Sequence, residues 1–105
     1  MTASEYQRLA MRTARADCRT LSNVGLGLAG EAGEVADLIK KHLHQGHELN
    51  VLDMVNELGD VAWYLALGCE ILGVNLGTVM ELNIEKLRRR YPEGFDSERS
   101  RNREE

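Results

Sequence analysis

Two pairs of carboxylates, Glu31 with Glu34 and Glu57 with Asp60, are placed to hold a hard divalent cation. Each pair is spaced i, i+3 inside a strongly helical stretch, which sets its side chains about 60° apart and roughly one turn along the same helix face. Each face is a two-toothed acidic clamp. If the two helices lie antiparallel, the clamps converge into a four-carboxylate cage that repels itself unless a cation sits inside it. Mg²⁺ is the simplest occupant, with Mn²⁺ as a substitute.

Angular position adds to this. Around the second helix the apolar stripe comprises Val24, Leu28, Ala32, Val35, Leu38 and Ile39, with Glu31 inside it and Glu34 at its edge. On the third helix Glu57 is surrounded by Val61, Tyr64, Gly68 and Ile71, with Asp60 one step round on the same side. A single ExxE is ordinarily solvated surface. Two pairs in core-facing sectors need a metal, a cationic partner or a water-filled cleft to offset desolvation.

The elements that carry these acids are helical. One proline, few aromatics and runs of Ala, Leu, Glu, Lys and Arg are the composition of an all-α protein, expected as an antiparallel bundle of about four helices. Ser4 is expected to cap a first helix running to about Leu21, with Asn23 as a turn or cap. The second helix is expected over about Val24–His44, closed by Gly46; the third over about Asn50–Leu72, stopped by Gly73; and the fourth from near Asn75 to Arg90. Tyr91–Phe95 then turns the chain. Residues 1–95 form the expected domain, and the apolar-free segment 96–105 is expected to be a flexible tail. Gly25, Gly27, Gly30 and Gly33 allow either close helix packing or a bent, late-starting helix. The GxGxxG string among them is no dinucleotide fingerprint, because no strand precedes it.

A chain of 105 residues with 43% apolar content is expected to hold one domain. A formal charge of −4, with no long basic stripe, argues against nucleic acid as a partner. No apolar run reaches membrane-spanning length and no signal-peptide core is present, so a cytoplasmic protein is expected. Cys18 and Cys69 lack the spacing of a zinc site or a disulfide framework. His42, His44 and His47 are read as a solvated loop.

The string Gly30-Glu31-Ala32-Gly33-Glu34-Val35-Ala36-Asp37, followed by Glu57-Leu58-Gly59-Asp60-Val61-Ala62-Trp63-Tyr64-Leu65, resembles the MazG-like branch of the all-α nucleoside triphosphate pyrophosphohydrolases. Their signature is ExxE, a variable spacer, then ExxD. Asn83-Ile84-Glu85-Lys86-Leu87 with Arg90-Tyr91-Pro92-Glu93-Gly94-Phe95 is similar to that family's third segment. The resemblance implies Mg²⁺-dependent hydrolysis of a nucleoside triphosphate, often a deoxynucleotide or non-canonical nucleotide, to monophosphate and pyrophosphate. It also implies a homodimer or homotetramer. Many members carry an extra acid directly before the first signature Glu, where this chain has Gly30.

A triphosphate repels nucleophiles, so a catalyst must neutralise its charge, orient a water and support the leaving pyrophosphate. Glu31, Glu34, Glu57 and Asp60 are the expected metal ligands and catalytic acids, one glutamate serving as a base through a bound water. Asn83, Lys86 and Arg90 fall on one side of the fourth helix and are expected to bind substrate, Lys86 and Arg90 at the phosphates. The plainer reading of those cations is complementation of a helix C-terminus. Tyr64 is a base-stacking candidate or core filler, and Trp63 packs or meets another subunit. Asp53 is a supporting acid or a cap-region residue, and Lys40 and Lys41 are read as solvent-facing. A di-iron bundle would use Glu-x-x-His, which is absent. The non-enzymatic alternative is a helical oligomerisation or regulatory module with a degenerate acidic site.

Overall fold

The computed structural model describes residues 1–103 and is all helical, with no strand among those residues. Helix α1 spans Ala3–Met11, a 3₁₀ turn covers Ala16–Cys18, and α2 spans Leu21–His44. Helix α3 spans Val51–Leu72, α4 spans Leu76–Arg90, and α5 is the short Ser97–Arg101. Helices α2 and α3 form an antiparallel hairpin: Val24 meets Gly68, Gly27 meets Tyr64, and Glu31 meets Glu57 and Asp60, so numbers fall along one helix as they rise along the other. Helix α1 packs on α3 and α4. A small core of Met11, Ala66 and Leu67 lies between α1 and α3, ringed by Tyr6, Val24, Trp63, Tyr64 and Ile71.

Local capping explains the helix ends. Asn50 accepts from the Asp53 N–H at 3.1 Å and Asn75 from the Gly77 N–H at 2.8 Å, while Gly73 stops α3 in the left-handed conformation with φ 72°. The third and fourth helices therefore end where the sequence indicates. The first does not. Thr2, rather than Ser4, caps α1 by accepting from the Glu5 N–H at 3.1 Å, and Ser4 instead donates to Asn75 Oδ1 at 2.8 Å. Helix α1 stops at Met11 because the Thr13 hydroxyl donates to the Ala10 carbonyl at 2.7 Å and Arg19 donates to the Met11 carbonyl at 3.0 Å, taking up backbone groups a longer helix would use. Thr20 caps α2, which begins at Leu21, three residues before the expected Val24, and Asn23 lies inside the helix with its side chain donating to the Cys18 carbonyl.

The expected four-helix antiparallel arrangement is corrected at α4, which leaves α3 at 101°. Gln7, buried between them, holds the corner: its amide donates to Glu70 Oε1 and the Val74 carbonyl, and its oxygen accepts from the Leu76 N–H at 2.6 Å. The radius of gyration is 16.8 Å, against about 13 Å for a compact chain of this size. Apolar faces are consequently left open. Val51, Leu58, Leu65 and Leu72, spaced seven residues apart along α3, are all exposed, Leu58 at 54% and Leu72 at 67%. On α4 Val79, Met80 and Leu82 are exposed as well.

The Tyr91–Phe95 turn forms as expected, with the Gly94 N–H donating to the Tyr91 carbonyl at φ 91° and the two rings 5.3 Å apart. The segment from Asp96, expected to be a flexible tail, contains α5, which Asp96 caps. Arg99 ties α5 to the end of α4 by donating to the Arg90 carbonyl at 2.7 Å. Residues 104 and 105 of that segment lie outside the described residues. No single described helix is long and apolar enough to cross a membrane.

Candidate active site

The α2–α3 hairpin brings the two acidic motifs together through its antiparallel register. Carboxylate oxygens of Glu31, Glu57 and Asp60 all lie within 4.8 Å of one another. Glu31 and Glu57 are half-buried and Asp60 is exposed. Glu34 is not part of this cluster. It is exposed on α2, and its charge falls on Lys41, whose pKa is raised first by hydrogen bonding and charge from Asp37 and then by Glu34. The expectation of two wholly inward pairs is thus corrected at Glu34 and Asp60. A helix face turns by about 100° per residue, so a partner three positions on can clear the interface while the first residue stays in it.

The electrostatics of the cluster are those of acids forced together. The Glu57 pKa is raised, first by a side-chain hydrogen bond with Glu31, then by desolvation and by the charges of Glu31, Asp60 and Asp53. Crowding of this kind makes ionisation unfavourable, and a cation placed among the carboxylates would relieve the repulsion. The donor set is all oxygen, and Mg²⁺ at its usual bond length of about 2.1 Å separates opposite ligands by about 4 Å. Oxygens that all lie within 4.8 Å of one another approach that size, so these residues fit a hard divalent cation.

A raised pKa means that the folded chain binds this proton more tightly than the unfolded chain does. The resulting stabilisation of the metal-free fold is complete below the ordinary value near 4.5 and is lost as pH rises through the folded value. A cation competing for the same oxygens must release the proton. Mg²⁺ or Mn²⁺ affinity is therefore expected to rise with pH until Glu57 is ionised, and binding to release protons, read by calorimetry in buffers of differing ionisation enthalpy. Affinity that does not rise as pH increases from the ordinary value near 4.5 toward neutrality would contradict this.

The remaining candidates are distributed as follows. Tyr64, one turn beyond Asp60, presses its ring against α2 at Gly27 and stands edge-on to Trp63 at 5.0 Å and 82°. That placement favours its packing role over a free stacking face. Trp63 is half-buried and donates from its indole N–H to Thr13 Oγ1 at 2.8 Å. Lys40 and Lys41 both pair with Asp37, at 3.6 and 2.9 Å. Asn83, Lys86 and Arg90 lie on α4, beyond its sharp departure from α3, and none belongs to the carboxylate cluster. A cleft of about 640 Å³ at the α4–α5 end is lined by Arg89, Arg90, Arg99 and Arg103 with Asp96 and Glu98. None of the four motif acids lines it.

Two neighbours of the cluster are not apparent from the motifs. Tyr6, on α1, packs against the Met11–Ala66–Leu67 core, and its pKa is raised by desolvation and, secondarily, by the charge of Asp60. Nothing local to Tyr6 signals that influence, because the two residues lie far apart in the sequence. Gly27 is the other, and its sequence signal was present but shared with three further glycines that have open space around them.

The class is thus an α-helical hairpin that brings acids from both of its helices to one spot. The chain belongs to the MazG nucleotide pyrophosphohydrolase domain family, whose pattern matches residues 19–95. It is 44% identical over 78 residues to the Gene 37 protein of Mycobacterium phage L5, covering 70% of this chain and 68% of that protein. No solved structure matches it. Helix α1, which supplies Tyr6 and Gln7, precedes the matched region.

Proposed function

We propose that this protein hydrolyses nucleoside triphosphates, deoxynucleotides or non-canonical nucleotides among them, to nucleoside monophosphate and pyrophosphate with Mg²⁺. The observation that carries the reading is the convergence of Glu31, Glu57 and Asp60, drawn from the two acidic motifs of a MazG-family chain, on one spot between α2 and α3. Those three residues would hold the cation. Bound there, it would neutralise phosphate charge and polarise the phosphorus under attack. Glu34, exposed and one turn from Glu31, is the carboxylate we assign to accept the proton of the attacking water. Lys86 and Arg90 grip the phosphate tail as a point charge and a planar fork, and Asn83 hydrogen-bonds phosphate or sugar.

Helix α4 carries those three residues away from its own hairpin, and the α3 stripe is open. A second copy covering the stripe supplies both the missing wall and an α4 for the neighbouring site. The protein is accordingly read as a homodimer or a homotetramer built from dimers. The test of the reaction is product identity across a panel of nucleotides in ¹⁸O-labelled water. Monophosphate and pyrophosphate are expected, with label on the α-phosphorus. Diphosphate and orthophosphate as first products would place the cleavage at the γ-phosphorus and overturn the reading.

A further inference from the structure

The α2–α3 contact nearest the acidic cluster is a ring seated on a bare backbone. A Cβ built on Gly27 would overlap three atoms of the Tyr64 ring, and even the farthest of them, Cδ1, would lie 2.5 Å away. Among the glycines of α2 this is the one with such a neighbour; around Gly25, Gly30 and Gly33 a Cβ would meet open space. Gly27 lies four residues before Glu31, and Tyr64 four residues after Asp60. On an antiparallel pair, those offsets put the ring one turn from the acids on both helices at once. The gap between the helices at the ring and the gap at the acids are therefore set together.

We infer that Gly27 is a positioning residue that tunes the carboxylate site to a small cation, by letting the Tyr64 ring sink into α2 and so holding Glu31 close to Glu57 and Asp60. This rests on the reading above that those three acids hold a divalent cation. The magnitudes make the gap decisive. An ordinary carbon contact needs about 3.5 Å or more, so a methyl at position 27 forces a separation of more than about 1 Å on ring or helix. Tyr64 has little freedom to turn aside, because Trp63 stands against it and the Met11–Ala66–Leu67 core lies beneath. The acidic oxygens already spread over as much as 4.8 Å. Mg²⁺ draws opposite ligands to about 4 Å and tolerates little departure, whereas Ca²⁺, with bonds of about 2.3–2.6 Å and a flexible shell, spans about 5 Å. Widening the gap costs the smaller ion more.

The experiment is calorimetric titration of the metal-free protein with MgCl₂ and with CaCl₂, without nucleotide, for wild type, Gly27→Ala, and Gly27→Ala combined with Tyr64→Ala. Helix content and melting temperature are measured alongside. Gly27→Ala is expected to weaken Mg²⁺ by about tenfold or more and Ca²⁺ by much less, so the Mg²⁺/Ca²⁺ affinity ratio falls. Removing the ring in the double variant returns the ratio to within about threefold of wild type. A glycine with a purely structural role would lower the melting temperature and leave that ratio alone, so an unchanged ratio in a helical Gly27→Ala protein overturns the inference. Should Gly27→Ala fail to fold, Gly27→Ala combined with Tyr64→Leu, whose smaller side chain still meets the added methyl, decides: a Mg²⁺/Ca²⁺ ratio depressed below wild type upholds the inference, and a wild-type ratio overturns it. Wild-type protein that binds neither ion would instead overturn the metal reading itself.

Discussion

Glu57→Gln and Asp60→Asn are each expected to cut pyrophosphate release by about 10²–10³-fold or more at limiting Mg²⁺, with helix content unchanged. Both remove a ligand charge while preserving side-chain volume, so the loss belongs to the cation site rather than to packing. The accompanying effect on stability has the opposite sign. In the metal-free protein Glu57 is pressed by Glu31, Asp60 and Asp53, and a glutamine can donate to Glu31 without carrying charge. Glu57→Gln should therefore raise the metal-free melting temperature by a few degrees at neutral pH. That gain should shrink as pH falls through the raised folded value toward 4.5, because wild-type Glu57 then carries its own proton. Loss of turnover with gain of apo stability is a pairing that a degenerate regulatory module would not give, since such a module tolerates either substitution without functional cost. Near-wild-type rates in either variant would remove that residue from the site.

The second large effect concerns assembly. Leu65 is 44% exposed on the α3 stripe that also carries Leu58 and Leu72; if the protein assembles through that stripe as proposed, Leu65→Glu is expected to leave it monomeric and to abolish turnover together. If α4 of one subunit serves the hairpin of another, an inactive Glu57→Gln protein and an inactive Lys86→Ala protein should complement each other. In a randomly reassorted twofold dimer half the molecules are mixed and each has one intact site, so recovery should approach roughly a quarter of wild-type activity. Size-exclusion chromatography with light scattering reads the first expectation and a mixing assay the second. A fully active monomer would contradict both, and an oligomer without complementation would confine each site to one chain.

What the sequence determined by itself was local. The ends of α3 and α4 follow from Asn50, Gly73 and Asn75, because a cap is a hydrogen bond or a left-handed residue within a turn of its helix. The Tyr91–Phe95 turn is legible for the same reason. The ExxE and ExxD spacings also sufficed to bring Glu31, Glu57 and Asp60 forward, since a short loop leaves two long helices little choice but to lie antiparallel. Distant partners decided the rest. Helix α1 stops early because Arg19 reaches back to the Met11 carbonyl, and α4 turns by 101° over a corner held by Gln7 bonding to the Leu76 N–H, 69 residues away. Glu34 falls outside the cluster because the hairpin's contact line is narrower than the apolar stripe that Glu34 borders. Tyr6 enters the site's field from α1, and Gly27 is distinguished from Gly25, Gly30 and Gly33 by the ring that meets it. Helical periodicity specifies which way a side chain points from its own axis; only the packing of one axis against another specifies what it meets there.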